Sequence, residues 1–135
     1  MIAEADTTDA DDIIALWRAC GLVRPWNDPE ADFRLASESE SSTILAVRVD
    51  GALAGSAMIG FDGHRGWVYY LAVAPERQGS GLGRALMAAA EDWLRARGCP
   101  KIQLMVRTSN HAAIGFYEAL GLERQEVVTL GRFLK

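Results

Sequence analysis

The chain has little of what marks several large protein classes. Cysteine occurs twice in 135 residues, at Cys20 and Cys99. Two cysteines make no disulfide framework, and no Cys-x-x-Cys pair or Cys/His cluster has metal-ligand spacing, so no metal is expected. Both are expected to serve as small core hydrophobes. Lysine is equally scarce, at Lys101 and Lys135. No apolar run is long enough to span a bilayer as a helix, and no membrane partner is expected. The formal net charge is −4. A basic surface for nucleic acid is therefore lacking, while cationic partners such as amines suit that sign. The start, Met1-Ile2-Ala3-Glu4-Ala5-Asp6, lacks the basic opening and apolar centre of a secretion signal, so a cytoplasmic location is expected. Repeats, low-complexity tracts and linkers are absent too.

What is present is a hydrophobic half of the chain, enough for one domain over residues 1–135. The periodicity alternates between strand and helix. Residues 1–5 read as a first strand. Thr8 is placed to cap a helix, with Asp11 as its capping-box partner. Ile13, Leu16, Trp17 and Cys20 follow at helical spacing, and Gly21 ends the run. Residues 24–29 read as a loop and 30–38 as a weaker helix. Strands over 43–49 and 52–60 flank Asp50-Gly51, a pair that accepts the positive φ angles of a two-residue hairpin turn. A turn at 62–66 precedes a strongly apolar strand, 67–73. A helix over 82–97 carries Leu82, Leu86, Ala89 and Trp93 on one face. A strand over 101–106 and a helix over 110–120 follow, the latter with Ala113, Phe116, Tyr117 and Leu120 on one face. Residues 122–134 read as one or two closing strands. The expected fold class is α/β (α+β), a single mixed, mostly antiparallel sheet of six or seven strands flanked by four helices.

Gln78-Gly79-Ser80-Gly81-Leu82-Gly83 lies between the apolar strand and the long helix. A helix start leaves backbone N–H groups unpaired, and glycines let a ligand approach them closely. Such a turn, with the helix dipole behind it, suits a phosphate. A P-loop needs Gly-Lys-Ser/Thr here, and neither lysine is near. A dinucleotide fold needs Gly-x-Gly-x-x-Gly and a later acid. Counted from Gly79, the third glycine position is Arg84, and residues 101–106 hold no acid. A connector with no ligand is the remaining alternative.

Gln78-x-x-Gly81-x-Gly83 resembles the Gln/Arg-x-x-Gly-x-Gly/Ala signature of the GNAT superfamily of N-acetyltransferases. Leu71-Ala72-Val73-Ala74-Pro75-Glu76-Arg77 looks like the family's strand before that turn, and Arg84-Ala85-Leu86-Met87 like the helix after it. Asn110, Phe116-Tyr117-Glu118 and Leu120-Gly121-Leu122 resemble its second motif. The element order agrees, so the resemblance covers nearly the whole chain. Arg24-Pro25-Trp26-Asn27-Asp28-Pro29 and Asp62-Gly63-His64-Arg65-Gly66 further resemble the bacterial YpeA-like branch.

The resemblance implies an acetyl-CoA-dependent N-acetyltransferase whose amine acceptor attacks the thioester directly. It places the pantetheine arm along Leu71, Ala72 and Val73, where one N–H polarises the thioester carbonyl. It places the pyrophosphate against Gly79, Ser80, Gly81, Leu82, Gly83 and Arg84, next to Gln78. Arg84 adds charge there or is an ordinary exposed arginine. Phe116 belongs to the coenzyme-contacting motif. Asn110 caps its helix or contacts the pantetheine, and the two roles are compatible. Tyr117 sits where the family has a tyrosine beside the departing sulfur; the plainer reading is a core tyrosine. With reference pKa values of ~10 for Tyr and ~8.5 for a thiol, full proton transfer is uphill by roughly 2 kcal/mol.

No acid lies in 67–73, where several family members carry one. Asp28, Asp62 and His64 remain as base candidates in loops, and Trp26 with Asp28 as acceptor contacts. A lysine-like amine at ~10.4 costs about 4.6 kcal/mol to deprotonate at pH 7, against about 1 kcal/mol for an α-amine at ~7.7. A low-pKa or α-amine acceptor is therefore favoured. The alternatives are a protein N-terminal or lysine acetyltransferase, and a non-catalytic acyl-CoA-binding module. Acetyl-CoA and an amine are the expected partners, and the chain is expected to be a monomer or homodimer.

Overall fold

The computed structural model describes residues 1–134. Among these are five strands and four α-helices, in the order β1 (Ile2–Glu4), α1 (Ala10–Ala19), α2 (Pro29–Glu38), β2 (Ser42–Val49), β3 (Ala52–Phe61), β4 (Gly66–Val73), α3 (Leu82–Arg95), β5 (Ile102–Leu104) and α4 (His111–Ala119). Single 3-10 turns occupy Thr7–Asp9 and Pro75–Arg77. Residues Met1–Met105 pack as one compact unit, and the residues from Val106 onward as a second. None of the described helices is long and apolar enough to cross a membrane.

The first unit holds one sheet, ordered β1-β2-β3-β4-β5. Its first four strands are antiparallel neighbours and β5 runs parallel to β4. The expected mixed, mostly antiparallel sheet with four helices is present. The expected six or seven strands are not: the described residues form five. Residues 122–134 form no strand. Their apolar residues come as Val127-Val128, Leu130 and Phe133-Leu134, which breaks the two-residue alternation a half-buried strand needs. These five side chains are between 72% and 94% exposed. β-propensity without a burying neighbour does not make a strand.

Local chemistry explains most boundaries. Asp50 and Gly51 take φ of 53° and 81°, the left-handed pair that joins β2 to β3 in a tight hairpin. The first helix starts differently from expectation. Asp6, not Thr8, accepts from a backbone N–H, and Asp6 with Asp9 forms the capping box, one 3-10 turn before α1. Asp6 precedes the turn, so its carboxylate reaches the free N–H groups that Thr8, already inside it, cannot.

The helices of the first unit cover opposite sheet faces, α1 and α2 on one and α3 on the other. Ile44, Ala46 and Ala72 join α1 and α2 in one buried cluster. The alternate residue Val47 lies beside Gly55, where an added Cβ would stand 3.0 Å from Leu86 of α3. At Gly66 an added Cβ would stand 2.6 Å from Leu94. Glycine at these two positions lets α3 lie flat on the sheet. The fully buried stripe of α3 is Leu86, Met87, Ala90 and Leu94, rotated by about a residue from the expected one, leaving Trp93 half-buried under the Arg97 guanidinium at 3.6 Å. Both cysteines are half-buried.

In the second unit, Asn110 accepts from the Ala113 N–H at 3.1 Å and caps α4. Ala113, Phe116, Tyr117 and Leu120 are its half-buried side, and Gly121 ends it with φ of 93°.

Candidate active site

The first element of the site is an irregularity in β4. Ser56 pairs with Ala72 and Met58 with Tyr69. One residue of β3 therefore faces two of β4, Tyr70 and Leu71, and β4 carries a bulge. Tyr70 takes φ of 51°, a conformation that costs a non-glycine residue roughly 1–3 kcal/mol. The bulge inverts the alternation of the strand. Tyr69 and Tyr70, though consecutive, both lie on the α1–α2 face. Tyr70 stacks on Trp17 with ring centroids 4.0 Å apart and planes 9° from parallel. Its hydroxyl donates to Asp32 Oδ2 at 2.7 Å. Burial first, then the Asp32 carboxylate, push its pKa well up. A bulge also frees backbone groups from the ladder. On the other side of β4, pairing with β5 ends at Val68 and Leu104. Leu71, Ala72 and Val73 thus follow a point where the sheet opens.

The second element is the turn into α3. Gly79 and Gly81 have φ of 81° and 88°. An added Cβ would meet nothing within 4 Å at either, so the surface above them is open. Gly81 is the N-cap of α3, and no side chain caps the helix. The first-turn N–H groups of Leu82, Gly83 and Arg84 accordingly point outward with the helix dipole behind them. Two side chains shape the turn itself. Gln78 Nε2 donates to the Val73 carbonyl at 3.2 Å, tying the turn to β4, and Ser80 Oγ donates to the Arg77 carbonyl. Arg84 is exposed. This turn is open, N–H-lined and continuous with the strand end, chemistry that suits a phosphate group.

The loop acids are engaged elsewhere. Asp28 caps α2, accepting from the Ala31 N–H at 3.1 Å. Asp62 accepts from the backbone N–H groups of His64 at 2.8 Å and Arg65 at 2.7 Å, and from Trp67 Nε1 at 3.2 Å. These bonds, Arg65 foremost, hold its carboxyl below the usual carboxylate range. His64 is exposed in the same turn, and Trp26 is 56% exposed. A carboxylate held charged by three donors is a poor proton acceptor near neutral pH. Replacing Asp62 by alanine is expected to lower Tm and leave kcat/KM within about twofold. Because the folded pKa is depressed, its stabilisation is present above the unfolded value and lost as pH falls through the folded one. A neutral-pH limb in the rate profile that vanished in Asp62→Ala would instead make it the base.

Sequence reasoning passed over Asp32, an acid facing an open groove on the sheet. Asp32, Leu35 and Ala36 of α2, with Met58, Ile59 and Tyr69 of the sheet, line a cavity of about 350 Å³. Asp32, Leu35, Ala36 and Ser39 stand at i, i+3, i+4 and i+7. That spacing was the available signal: an acid on an otherwise apolar or small helical stripe.

In the second unit, burial pushes the Tyr117 phenol up to about 12. Its ring meets Phe116 edge-on at 5.1 Å. Among the described residues no group of three or more His, Cys, Asp or Glu side chains could hold a metal ion.

A profile of the Acetyltransferase (GNAT) family matches residues 10–122. The chain belongs to the GNAT acetyltransferase family. It is an acetyl-CoA-dependent N-acetyltransferase acting on an amine, with acetyl-CoA as cosubstrate, and the reading as a non-catalytic module falls away. An acetyltransferase of Yersinia enterocolitica is 46% identical over 127 residues, 94% of this chain and 90% of the relative. One from Pectobacterium atrosepticum is 48% identical over 126 residues, 93% and 89% of the two chains. Among solved structures, the ribosomal-protein-S18-alanine N-acetyltransferase of Escherichia coli superposes with a TM-score of 0.77 at 31% identity, over 90% of this chain and 76% of that one. The GNAT match spans both compact units.

Proposed function

We propose that this acetyltransferase binds acetyl-CoA along β4 and the turn into α3, and that its acceptor is a low-pKa amine attacking the thioester in a ternary complex. The new N–C bond forms as the C–S bond breaks. The amine loses its proton to solvent or a relay, and the sulfur leaves as thiolate. The observation carrying this reading is the uncapped start of α3 behind two left-handed glycines. Leu82, Gly83 and Arg84 would supply N–H groups to the pyrophosphate, and Gly79 and Gly81 would keep side chains out of its way. Leu71, Ala72 and Val73 would pair with the pantetheine, beside the bulge that loosens the β3 ladder. Asn110, Phe116 and Tyr117 are assigned by their match to the second motif. The YpeA-like branch is supported by residues 24–29 and 62–66, and a single domain by the span of the family match.

A protein N-terminus is the second reading, favoured by the likeness to an enzyme acting on a ribosomal-protein alanine. An acceptor screen by thiol release, setting small amines beside peptides with free N-termini, separates the two. Gly81→Val tests the cradle. It is expected to raise the Kd for coenzyme A at least about tenfold, or ~1.4 kcal/mol. Gly98→Val, at φ of 77° past the far end of α3, controls for backbone strain and should leave that Kd unchanged. Equal affinity in the Gly81 variant would remove the cradle from the site.

A further inference from the structure

We infer that the cavity between α2 and the sheet selects acceptors that carry a second positive charge, with the Asp32 carboxylate binding the non-reacting cation. This rests on the acetyl-transfer reading above and deepens it. The cavity is a groove largely open to solvent, of about 350 Å³, so a small ligand would lie along it rather than be enclosed. Leu35, Ala36 and Met58 give it apolar walls, Tyr69 a polar edge, and none of the side chains lining it is basic. Asp32 brings the formal negative charge. It is placed by Tyr70, whose hydroxyl donates to Oδ2 at 2.7 Å. Tyr70 is itself the bulge residue immediately before Leu71. The same distortion that opens β4 thus fixes a carboxylate one side chain away from it.

A carboxylate beside the reacting nitrogen would hold that nitrogen protonated and slow its attack. Beside a second cation it does the opposite service. It anchors the far end, the apolar walls take the stem, and the reacting amine is left away from the negative charge. In free solution the second cation lowers the proton affinity of the first amine, since like charges disfavour one another; once paired with Asp32 that help is largely offset, so the carboxylate's part is anchoring. A net charge of −4 adds long-range attraction for a dication.

The test compares 1,4-diaminobutane with 1-aminobutane and 4-aminobutan-1-ol, by thiol release and by calorimetric titration. The diamine is expected to show at least about tenfold higher kcat/KM than either monocation, a loss of about that size being what one anchoring ion pair supplies. Asp32→Asn, which still accepts from Tyr70, should abolish that preference by raising the diamine KM, with kcat at saturation and the monoamine parameters little changed. Asp32→Glu should restore part of it. Equal turnover of all three amines, or a preference that survives in Asp32→Asn, overturns the proposal while leaving acetyl transfer intact. Asp32-dependent binding of the diamine without turnover of any amine would instead uphold the cation site and overturn the transfer reading.

Discussion

Tyr117→Phe is expected to lower kcat by about two orders of magnitude, the usual effect of deleting one donor to a developing charge. The Kd for acetyl-CoA should stay within about twofold, because in the proposed role the hydroxyl would serve the transition state more than the bound thioester. The phenol's acidity narrows what that hydroxyl does. Burial pushes it up to about 12, and against a thiol at ~8.5 the full transfer of its proton is uphill by roughly 5 kcal/mol. An unperturbed phenol at ~10 would lower that cost to roughly 2 kcal/mol. The proposed role is accordingly that of a hydrogen-bond donor to the departing thiolate rather than a proton donor, with the proton supplied afterwards by solvent. The sign of the shift gives the pH dependence. A raised pKa keeps the phenol protonated, and so a donor, through pH 10, and any loss of activity from its ionisation comes above that. A rate limb below pH 9 that disappeared in Tyr117→Phe would show a depressed phenol and reinstate proton transfer. Unchanged turnover would remove Tyr117 from the site.

The parts of the molecule legible in the sequence are those set by a few adjacent residues. Asp50-Gly51 announces its hairpin, Gly79 and Gly81 announce a tight turn into an uncapped helix start, and Asn110 announces its cap. Each depends on φ angles or on a side chain reaching its own backbone. The bulge at Tyr70 depends on which residues of β3 stand opposite. Trp67-Val68-Tyr69-Tyr70-Leu71-Ala72-Val73 is apolar or aromatic throughout, so it offers no alternation whose break could be seen. Asp32 was hidden for a related reason. Its importance comes from where α2 docks on the sheet, not from its neighbours in sequence. Asp28 and Asp62 drew attention because loop acids are the type expected of a base. They are also the type that caps helices and closes Asx turns, and local geometry took both. The closing strands failed on pattern: Val127-Val128 and Phe133-Leu134 put adjacent apolar residues on opposite faces.

Trp17→Ala is expected to cost about 4 kcal/mol of stability, the range for removing a large buried aromatic. That is a large share of the ~5–15 kcal/mol that holds a domain folded. Trp17 is fully buried, and its loss does more than leave a cavity. Its Nε1 donates to Ser56 Oγ at 3.2 Å, and Ser56 is itself fully buried, so the hydroxyl would be left without that partner. The Tyr70 ring would lose the surface it stacks on. Tyr70 sits in a backbone conformation that its side-chain contacts must support. With Trp17 gone, the bulge is expected to relax toward regular β4 geometry. That would carry Asp32's partner and the Leu71 to Val73 backbone with it. Two readouts separate packing from site support. Denaturant unfolding gives the stability loss, and the KM for acetyl-CoA, measured at a temperature where the variant is fully folded, gives the effect on the strand. A raised KM is expected. In Trp17→Phe, which keeps an aromatic face for Tyr70 but no donor for Ser56, stability should fall less and the KM should stay near the parent value. If Trp17→Ala loses stability with its KM unchanged, the β3–β4 register alone holds the bulge, and the stack on Trp17 is packing without a part in the site.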